Sequence, residues 1–431
     1  MTNLKEPKPL TAAAAITHIN SFQNVFVHGG CATPNFLLKE LVQQANRLTS
    51  VTLIHLHTHG EADYLKPQYS ANFRVLNLFV GSNVRPYMDF DRVDYIPCFL
   101  SEMPSLFKNK VIPLDVALIQ VSPPDSHGYC SLGTSVDVVK AAISNSKIVI
   151  AQVNNQMPRT FGDALVPVQD IDYLVEHSEP LLESSPKALS SIELEIGRNT
   201  ADLIENGSTL QMGIGSIPDA VLSSLTGHKD LGIHTEMWSD GALNLLKSGV
   251  INNSKKKIHQ GKTVSTFVMG SKNVFNFIDN NPSVILLEAN YVNNPTVIAK
   301  NDKAISINSA VEIDLTGQVC ADSIGHKVIS GVGGQIDFIR GSALSNGGKP
   351  IIAMTSRTKH GNSRIVSSLK SGAGVVTTRA HVHYVVTEYG AVNLFGKSIH
   401  QRARALLDLA HPEDRENLEK AFFEEYSKSS L

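Results

Sequence analysis

The chain has 431 residues, of which 42% are hydrophobic and 18% charged, and a formal net charge of −2. At roughly 150 residues per domain this is too long for one ordinary core, and the composition excludes disordered and fibrous classes in favour of a soluble globular protein. Mixed charge of near-zero balance gives no electrostatic footprint for nucleic acid or an anionic membrane, and no apolar run reaches spanning length.

The stretch from Met1 to Leu10 carries Lys5, Glu6 and Lys8 among prolines, without the apolar run of a signal peptide. Val25 to Val27 then reads as a strand ending in His28-Gly29-Gly30-Cys31-Ala32. Thr33 is placed to cap a helix whose first position is Pro34, with Leu37, Leu38, Leu41 and Val42 as its buried stripe. Strands are predicted over Val51 to His57, Phe73 to Val80, Val116 to Val121 and Ile148 to Val153, with a helix from Val136 to Ala142. Such βαβ alternation predicts an α/β fold with mostly parallel sheets and helices on both faces.

Between Glu176 and Ser191 the pattern lapses into Ser, Pro and Glu, which sets a domain boundary and divides the chain into 1–183 and 184–431. A helix follows over Ile192 to Glu205. Strands are predicted at Thr209 to Met212, Leu231 to Thr235, Val264 to Met269, Val284 to Ala289, Ala304 to Asn308, Ile351 to Met354, Gly374 to Thr378 and Tyr384 to Thr387. Helices over Gln401 to Leu409 and Glu413 to Tyr426 close the chain. In open α/β sheets ligands gather beyond the carboxyl ends of strands, and the glycine turns of this chain are expected at such ends.

Three segments carry the candidate chemistry. In His234-Thr235-Glu236-Met237-Trp238-Ser239-Asp240-Gly241, Glu236 stands where a strand gives way to a helix running to about Lys247. A carboxylate is ionised well below neutral pH and needs no general base to act as a nucleophile. Gly213-Ile214-Gly215-Ser216-Ile217 follows a strand and opens a helix, so backbone N–H groups and the positive helix end face whatever lies above. Pro218 takes the place of the third glycine of a dinucleotide fingerprint, which argues against a NAD site. Ser330-Gly331-Val332-Gly333-Gly334 is a second turn that lets a ligand approach the backbone.

Other motifs weigh less. Gly261-Lys262-Thr263 and Gly396-Lys397-Ser398 miss the spacing of a phosphate loop. His55, His57 and His59 would share one face of a strand; they suit a hydrogen-bonded pocket lining better than a metal, for which no carboxylate partner is evident. Asp89, Asp91 and Asp94 read as a solvated turn. Cys31 could accept an acyl group as a thiolate, against the plainer reading of a small buried residue. Cys31, Cys98, Cys130 and Cys320 form no CxxC pair, so neither a zinc cage nor a disulfide framework is expected, and a reducing cytoplasm is the simplest home. No Gly-x-Ser-x-Gly elbow is present.

Together these segments resemble the acetyl-CoA hydrolase/transferase family, closest to its 4-hydroxybutyrate CoA-transferase branch. The resemblance spans nearly the whole chain. It extends to Val121-Ser122-Pro123-Pro124-Asp125-Ser126-His127-Gly128-Tyr129-Cys130-Ser131-Leu132-Gly133, Met157-Pro158-Arg159-Thr160-Phe161-Gly162-Asp163, Asn308-Ser309-Ala310-Val311-Glu312-Ile313-Asp314 and Val386-Thr387-Glu388-Tyr389-Gly390.

The resemblance implies two similar α/β domains of the NagB/RpiA/CoA-transferase type with the active site between them, no metal and no permanently bound cofactor, and coenzyme A as substrate. It implies Glu236 as the nucleophile of a ping-pong transfer through a glutamyl-CoA thioester, with Gly334 as first choice of oxyanion donor and the Gly29-Gly30 turn as another. Asn290 and Asn293 include the family's glutamate-orienting amide. Gly213, Ile214, Gly215, Ser216 and Ile217, with Ser330, Gly331, Gly333, Gly334 and Lys359, match its CoA contacts. A CoA-transferase acting on 4-hydroxybutyryl-CoA or butyryl-CoA and acetate is therefore expected, as a cytoplasmic homodimer. The rivals are an acyl-CoA hydrolase using the same residues and a non-catalytic CoA-binding protein. Acyl selection is expected from the loops near His57 to Tyr69, Asn83 to Asp89 and Phe161.

Overall fold

The computed structural model describes residues 6–184 and 188–426. The extreme N-terminus and residues 185–187, inside the expected boundary, lie outside that description. Contacts divide the chain into two units, one of residues 6–184 with 264–292, the other of residues 188–263 with 293–426. The grouping differs from a single division at 183/184, because 264–292 returns to the first unit.

In the first unit eight strands form one sheet: β1 (Lys8–Pro9), β2 (Asn24–Val27), β3 (Val51–His55), β4 (Phe73–Asn77), β5 (Val93–Tyr95), β6 (Leu114–Val121), β7 (Ser146–Val153) and β8 (Tyr173–Glu176). Their order is β1-β8-β7-β6-β2-β3-β4-β5, and every neighbouring pair is parallel. Central strands of such a sheet are covered on both faces, which explains the unbroken apolar runs in β6 and β7. Helix α1 (Asn35–Gln43) buries the expected stripe of Leu37, Leu38 and Leu41 against Val25, Val27, Leu53 and Val75.

Thr33 does not cap that helix. Its Oγ1 donates to the Gly30 carbonyl at 2.7 Å and accepts the His59 N–H at 3.0 Å, so it closes the glycine turn instead. β3 ends at His55, which leaves His57 and His59 beyond the strand rather than on a shared face.

The main sheet of the second unit has six strands: β9 (Thr209–Met212), β10 (Gly232–Ile233), β11 (Ala304–Asn308), β12 (Lys349–Ala353), β13 (Tyr384–Thr387) and β14 (Gly390–Asn393). The order is β10-β9-β11-β12-β13-β14, parallel except for the final antiparallel pair. Helix α2 (Ser191–Ala201) begins with a capping box in which Ser190 and Glu193 satisfy each other's backbone N–H groups. It packs so closely on α3 (Ser216–Ser224) that a Cβ on Gly197 would lie 2.5 Å from the Ala220 carbonyl oxygen. Of the remaining expectations, Gly374 to Thr378 forms no strand, and Val264 to Met269 breaks into two short ones. The turn at Gly331 to Gly334 does not follow a strand of the main sheet; it follows a small hairpin, Ser323–Ile324 with Lys327–Val328.

Candidate active site

Glu236 lies three residues past the end of β10, half-buried, directly after a residue whose hydroxyl ties the segment to β9. Thr235, fully buried, donates from Oγ1 toward the carbonyls of Met212 at 3.0 Å and Met237 at 2.9 Å, and accepts the Met212 N–H at 3.2 Å. Met212 ends β9 and starts the Gly213 turn, so one side chain ties the candidate nucleophile to the candidate ligand loop. Sequence reasoning passed over Thr235; a hydroxyl in an otherwise apolar strand directly before an acid was the available signal. Beyond Glu236, Ser239 leads into α4 (Asp240–Lys247), whose extent matches the expectation.

Asn293 donates from Nδ2 to Glu236 Oε2 at 3.1 Å and is itself fully buried. Asn290, the other candidate, is exposed. Gly334 completes the group. A Cβ there would fall 2.1 Å from Asn293 Nδ2 and 2.2 Å from Glu236 Oε2, so only the absence of a side chain permits this approach. Its φ of −99° suits any residue, which makes space and not conformation the reason for glycine. Gly334 is also the N-cap of α5 (Gln335–Leu344) and makes no side-chain cap bond, so the positive end of a ten-residue helix begins beside the carboxylate. Developing negative charge on an oxygen at this place would be stabilised by groups already fixed in orientation.

The other expected ligand residues are arranged around two openings of backbone. Gly213 and Gly215 have nothing within 4 Å of an added Cβ, and Ile214 is exposed. Gly215 has φ 120° and ψ 178°, a region open to glycine alone, and it is the N-cap of α3, whose first residue Ser216 hydrogen-bonds the Glu193 carboxylate by its side chain. Gly333, with φ 56°, turns the second loop back toward α5, while Gly331 is buried. Ser330 is anchored by its N–H to the Asp322 carbonyl at 3.1 Å and by Oγ to the Ala321 carbonyl at 3.3 Å. Lys359 is exposed on a turn closed by the Thr358 N–H to Asn362 carbonyl bond of 2.8 Å.

In the first unit burial lowers the pKa of His28, His55, His57 and His59. His28 accepts the Gln120 N–H at Nδ1, 3.2 Å, and donates from Nε2 to the Ser135 carbonyl at 2.8 Å. Desolvation lowers its pKa to about 4, and that of His55 to about 4. His57 is pushed down to about 3 by burial, then by the charges of His59 and His55. Its ring lies among those of His59, Phe79 and Phe267 at centroid distances of 5.6, 6.1 and 5.4 Å, an uncharged lining. The Gly30 N–H is committed to the His57 carbonyl at 2.9 Å, which removes it as an oxyanion donor. Burial drives the Cys31 thiol up to about 12, so it is no thiolate at neutral pH. Asp89 accepts the N–H groups of Asp91, Arg92 and Val93, the work of a turn-forming acid. The loop after His57 contributes Gly60 and Glu61 to a cavity of about 220 Å³, also lined by Cys31, Thr33, Asn35 and Gln120. It opens where the strand order reverses between β2 and β6, the usual ligand position of a doubly wound sheet.

Two parallel α/β units, one carrying a carboxylate held by an amide against a helix N-terminus, define the CoA-transferase class of fold. Models of the acetyl-CoA hydrolase/transferase N-terminal and C-terminal domains match residues 6–183 and 270–422, and the chain belongs to that family. It is 53% identical to succinyl-CoA:acetate/propanoyl-CoA:succinate CoA transferase of Fasciola hepatica, over 93% of this chain and 84% of that protein. It is 51% identical to 4-hydroxybutyrate coenzyme A transferase of Clostridium kluyveri, over 96% of this chain and 97% of that one. The crystal structure of 4-hydroxybutyrate CoA-transferase from Porphyromonas gingivalis superposes with a TM-score of 0.83 at 39% identity, covering 97% of this chain and 98% of that one.

Proposed function

We propose that this protein is a CoA-transferase that moves CoA between a short-chain acyl-CoA, 4-hydroxybutyryl-CoA or butyryl-CoA, and acetate. The observation that carries the reading is the Glu236 carboxylate held by Asn293 in direct contact with the Gly334 backbone. In the first step a Glu236 oxygen attacks the thioester carbonyl, and CoA thiolate leaves a mixed anhydride. The thiolate then attacks the glutamyl carbonyl and expels the acyl carboxylate, so that Glu236 carries CoA as a thioester. Acetate attacks that thioester, and the same two exchanges in reverse release acetyl-CoA and restore the carboxylate.

Each exchange passes through a tetrahedral centre whose oxyanion needs fixed donors, worth about 3 kcal/mol each. The Gly334 N–H at the head of α5 is the donor the arrangement favours. The turn from Gly213 to Ile217, with Ser330, Gly331, Gly333 and Lys359, supplies the CoA contacts in this reading, the free space at Gly213 and Gly215 letting a ligand approach the backbone. Asn293, rather than Asn290, orients the nucleophile.

The test is to incubate the protein with butyryl-CoA without acceptor and measure the mass of the peptide containing Glu236. CoA on that peptide supports the reading; an unmodified peptide in an enzyme that turns over sinks it. The family also contains hydrolases, and thiol release that does not depend on acetate would shift the assignment to hydrolysis. A homodimer acting in the cytoplasm completes the proposal, with light scattering and cell fractionation as the checks.

A further inference from the structure

Strand β10 leads directly to Glu236, yet it is the edge of its sheet and pairs with β9 on one side alone. An edge strand exposes alternate backbone groups, and here those of Ile233 point away from β9. Segment 250–253 begins to cover them. The Leu231 N–H bonds the Val250 carbonyl at 2.9 Å, and the Leu231 carbonyl accepts the N–H groups of Asn252 and Asn253 at 3.0 Å each. Asn253 then turns away with φ 59°, and backbone pairing stops one position before Ile233.

Side chains continue where the backbone leaves off. Asn253 Oδ1 accepts the Ile233 N–H at 2.9 Å, and Lys256 Nζ donates to the Ile233 carbonyl at 2.7 Å and to the Lys262 carbonyl at 2.6 Å. Asn253 Nδ2 reaches Thr263 Oγ1 at 3.1 Å, tying both ends of the loop to the strand. The Lys256 stem crosses β10 over Gly232, where a Cβ would lie 2.8 Å from Lys256 Cγ. Lys256 is 3% exposed and has no carboxylate within ion-pair distance among the described residues. Burial lowers its pKa to about 7. A lysine so placed is costly unless its donors do something specific.

We propose that Asn253 and Lys256 form a side-chain clamp that replaces a missing neighbour strand, fixes the carboxyl end of β10 and so positions Glu236. Both are positioning residues that act through Ile233, and the role rests on the reading of Glu236 as nucleophile. Displacing a reacting group by about 1 Å costs up to roughly 100-fold in rate, so a loose β10 end would slow attack without weakening CoA binding.

The experiment uses full-length Lys256→Met, Asn253→Leu and Asn253→Asp, the last retaining an acceptor for the Ile233 N–H. Single-turnover loading of CoA onto Glu236 from butyryl-CoA is measured beside amide exchange of the peptide from Leu231 to Glu236. Lys256→Met and Asn253→Leu should load roughly 10- to 100-fold more slowly, with final stoichiometry and KM close to wild type. Both should exchange faster over that peptide, and Asn253→Asp should recover most of the loading rate. Should Lys256→Met fail to fold, Asn253→Leu carries the same comparison. Unchanged loading and exchange in Lys256→Met or Asn253→Leu overturns the clamp, as does a loss of stoichiometry with an unchanged rate in the remainder. A wild type that never loads CoA overturns the nucleophile reading instead, while unchanged exchange still overturns the clamp by itself.

Discussion

Asn293 Nδ2 donates to Glu236 Oε2 at 3.1 Å, and this bond holds that carboxylate oxygen beside the Gly334 backbone. Replacing Asn293 with Ala removes the orienting amide but leaves the nucleophile. We expect kcat to fall roughly 10- to 100-fold with little change in KM for acyl-CoA, since positioning and not binding is lost. Asn293→Asp should be worse at neutral pH. Two carboxylates at hydrogen-bond distance resist ionising together, so one holds a proton and the rate should recover as pH rises. A steady-state pH profile of both variants checks this, and an Asn293→Asp profile parallel to wild type would count against the assigned role.

Gly334→Ala separates activity from folding. The added Cβ would meet Asn293 Nδ2 at 2.1 Å and Glu236 Oε2 at 2.2 Å, yet the backbone at φ −99° accepts alanine without strain. The clash is therefore confined to the catalytic group. Transfer should fall by roughly 100-fold or more, the scale of losing one oxyanion donor, while the melting temperature stays within a few degrees of wild type. Assay and calorimetry on one preparation suffice; full activity would mean that the approach of Gly334 to Glu236 is not used.

Thr235→Val keeps shape and volume but deletes the hydroxyl that joins Met212 to Met237. It leaves the Met212 N–H without its acceptor and the Met212 and Met237 carbonyls without the hydroxyl proton they share, at about 1 kcal/mol or more for each bond lost. Loss of stability and of CoA affinity should come together, because Met212 begins the Gly213 turn. Thermal unfolding and CoA binding by calorimetry measure the two effects, and a stable variant with normal affinity would show that the turn holds itself.

The sheets were legible because a parallel strand buried on both faces leaves an apolar run with little ambiguity, as Val116 to Ile119 in β6 and Ile148 to Ala151 in β7 show. Glu236 and the Gly213 turn were legible as types of residue at strand ends, and the resemblance named their chemistry. The choice between Asn290 and Asn293 was not, because one lies on the short helix Ala289–Val292 and the other directly after it, and only tertiary packing decides which amide is buried beside Glu236. Thr33 misled for a related reason: a hydroxyl before Pro34 looks like a cap, but its Oγ1 is engaged by the Gly30 carbonyl and the His59 N–H, and Pro34 itself stands at the N-cap. The clamp of Asn253 and Lys256 left no pattern at all, since side chains standing in for a strand have no period.

Acid should destabilise the first unit through its buried histidines. His28 and His55 are held at about 4 and His57 at about 3, against an ordinary value of 6.5, with desolvation the first cause of each shift. A folded-state pKa below the unfolded one means that the unfolded chain binds more protons across the interval between them, so stability must fall as pH falls. The contribution is fully present above pH 6.5 and is lost progressively down to the folded values, on the order of 3 kcal/mol for each such group. Urea midpoints should therefore drop steeply between pH 6.5 and 4.5. His28→Gln can keep a donor to the Ser135 carbonyl without titrating, and it should flatten that dependence by about one histidine's share even if its midpoint at pH 7.5 is lower. An unchanged slope would show that His28 carries no proton-linked stability, whatever its burial.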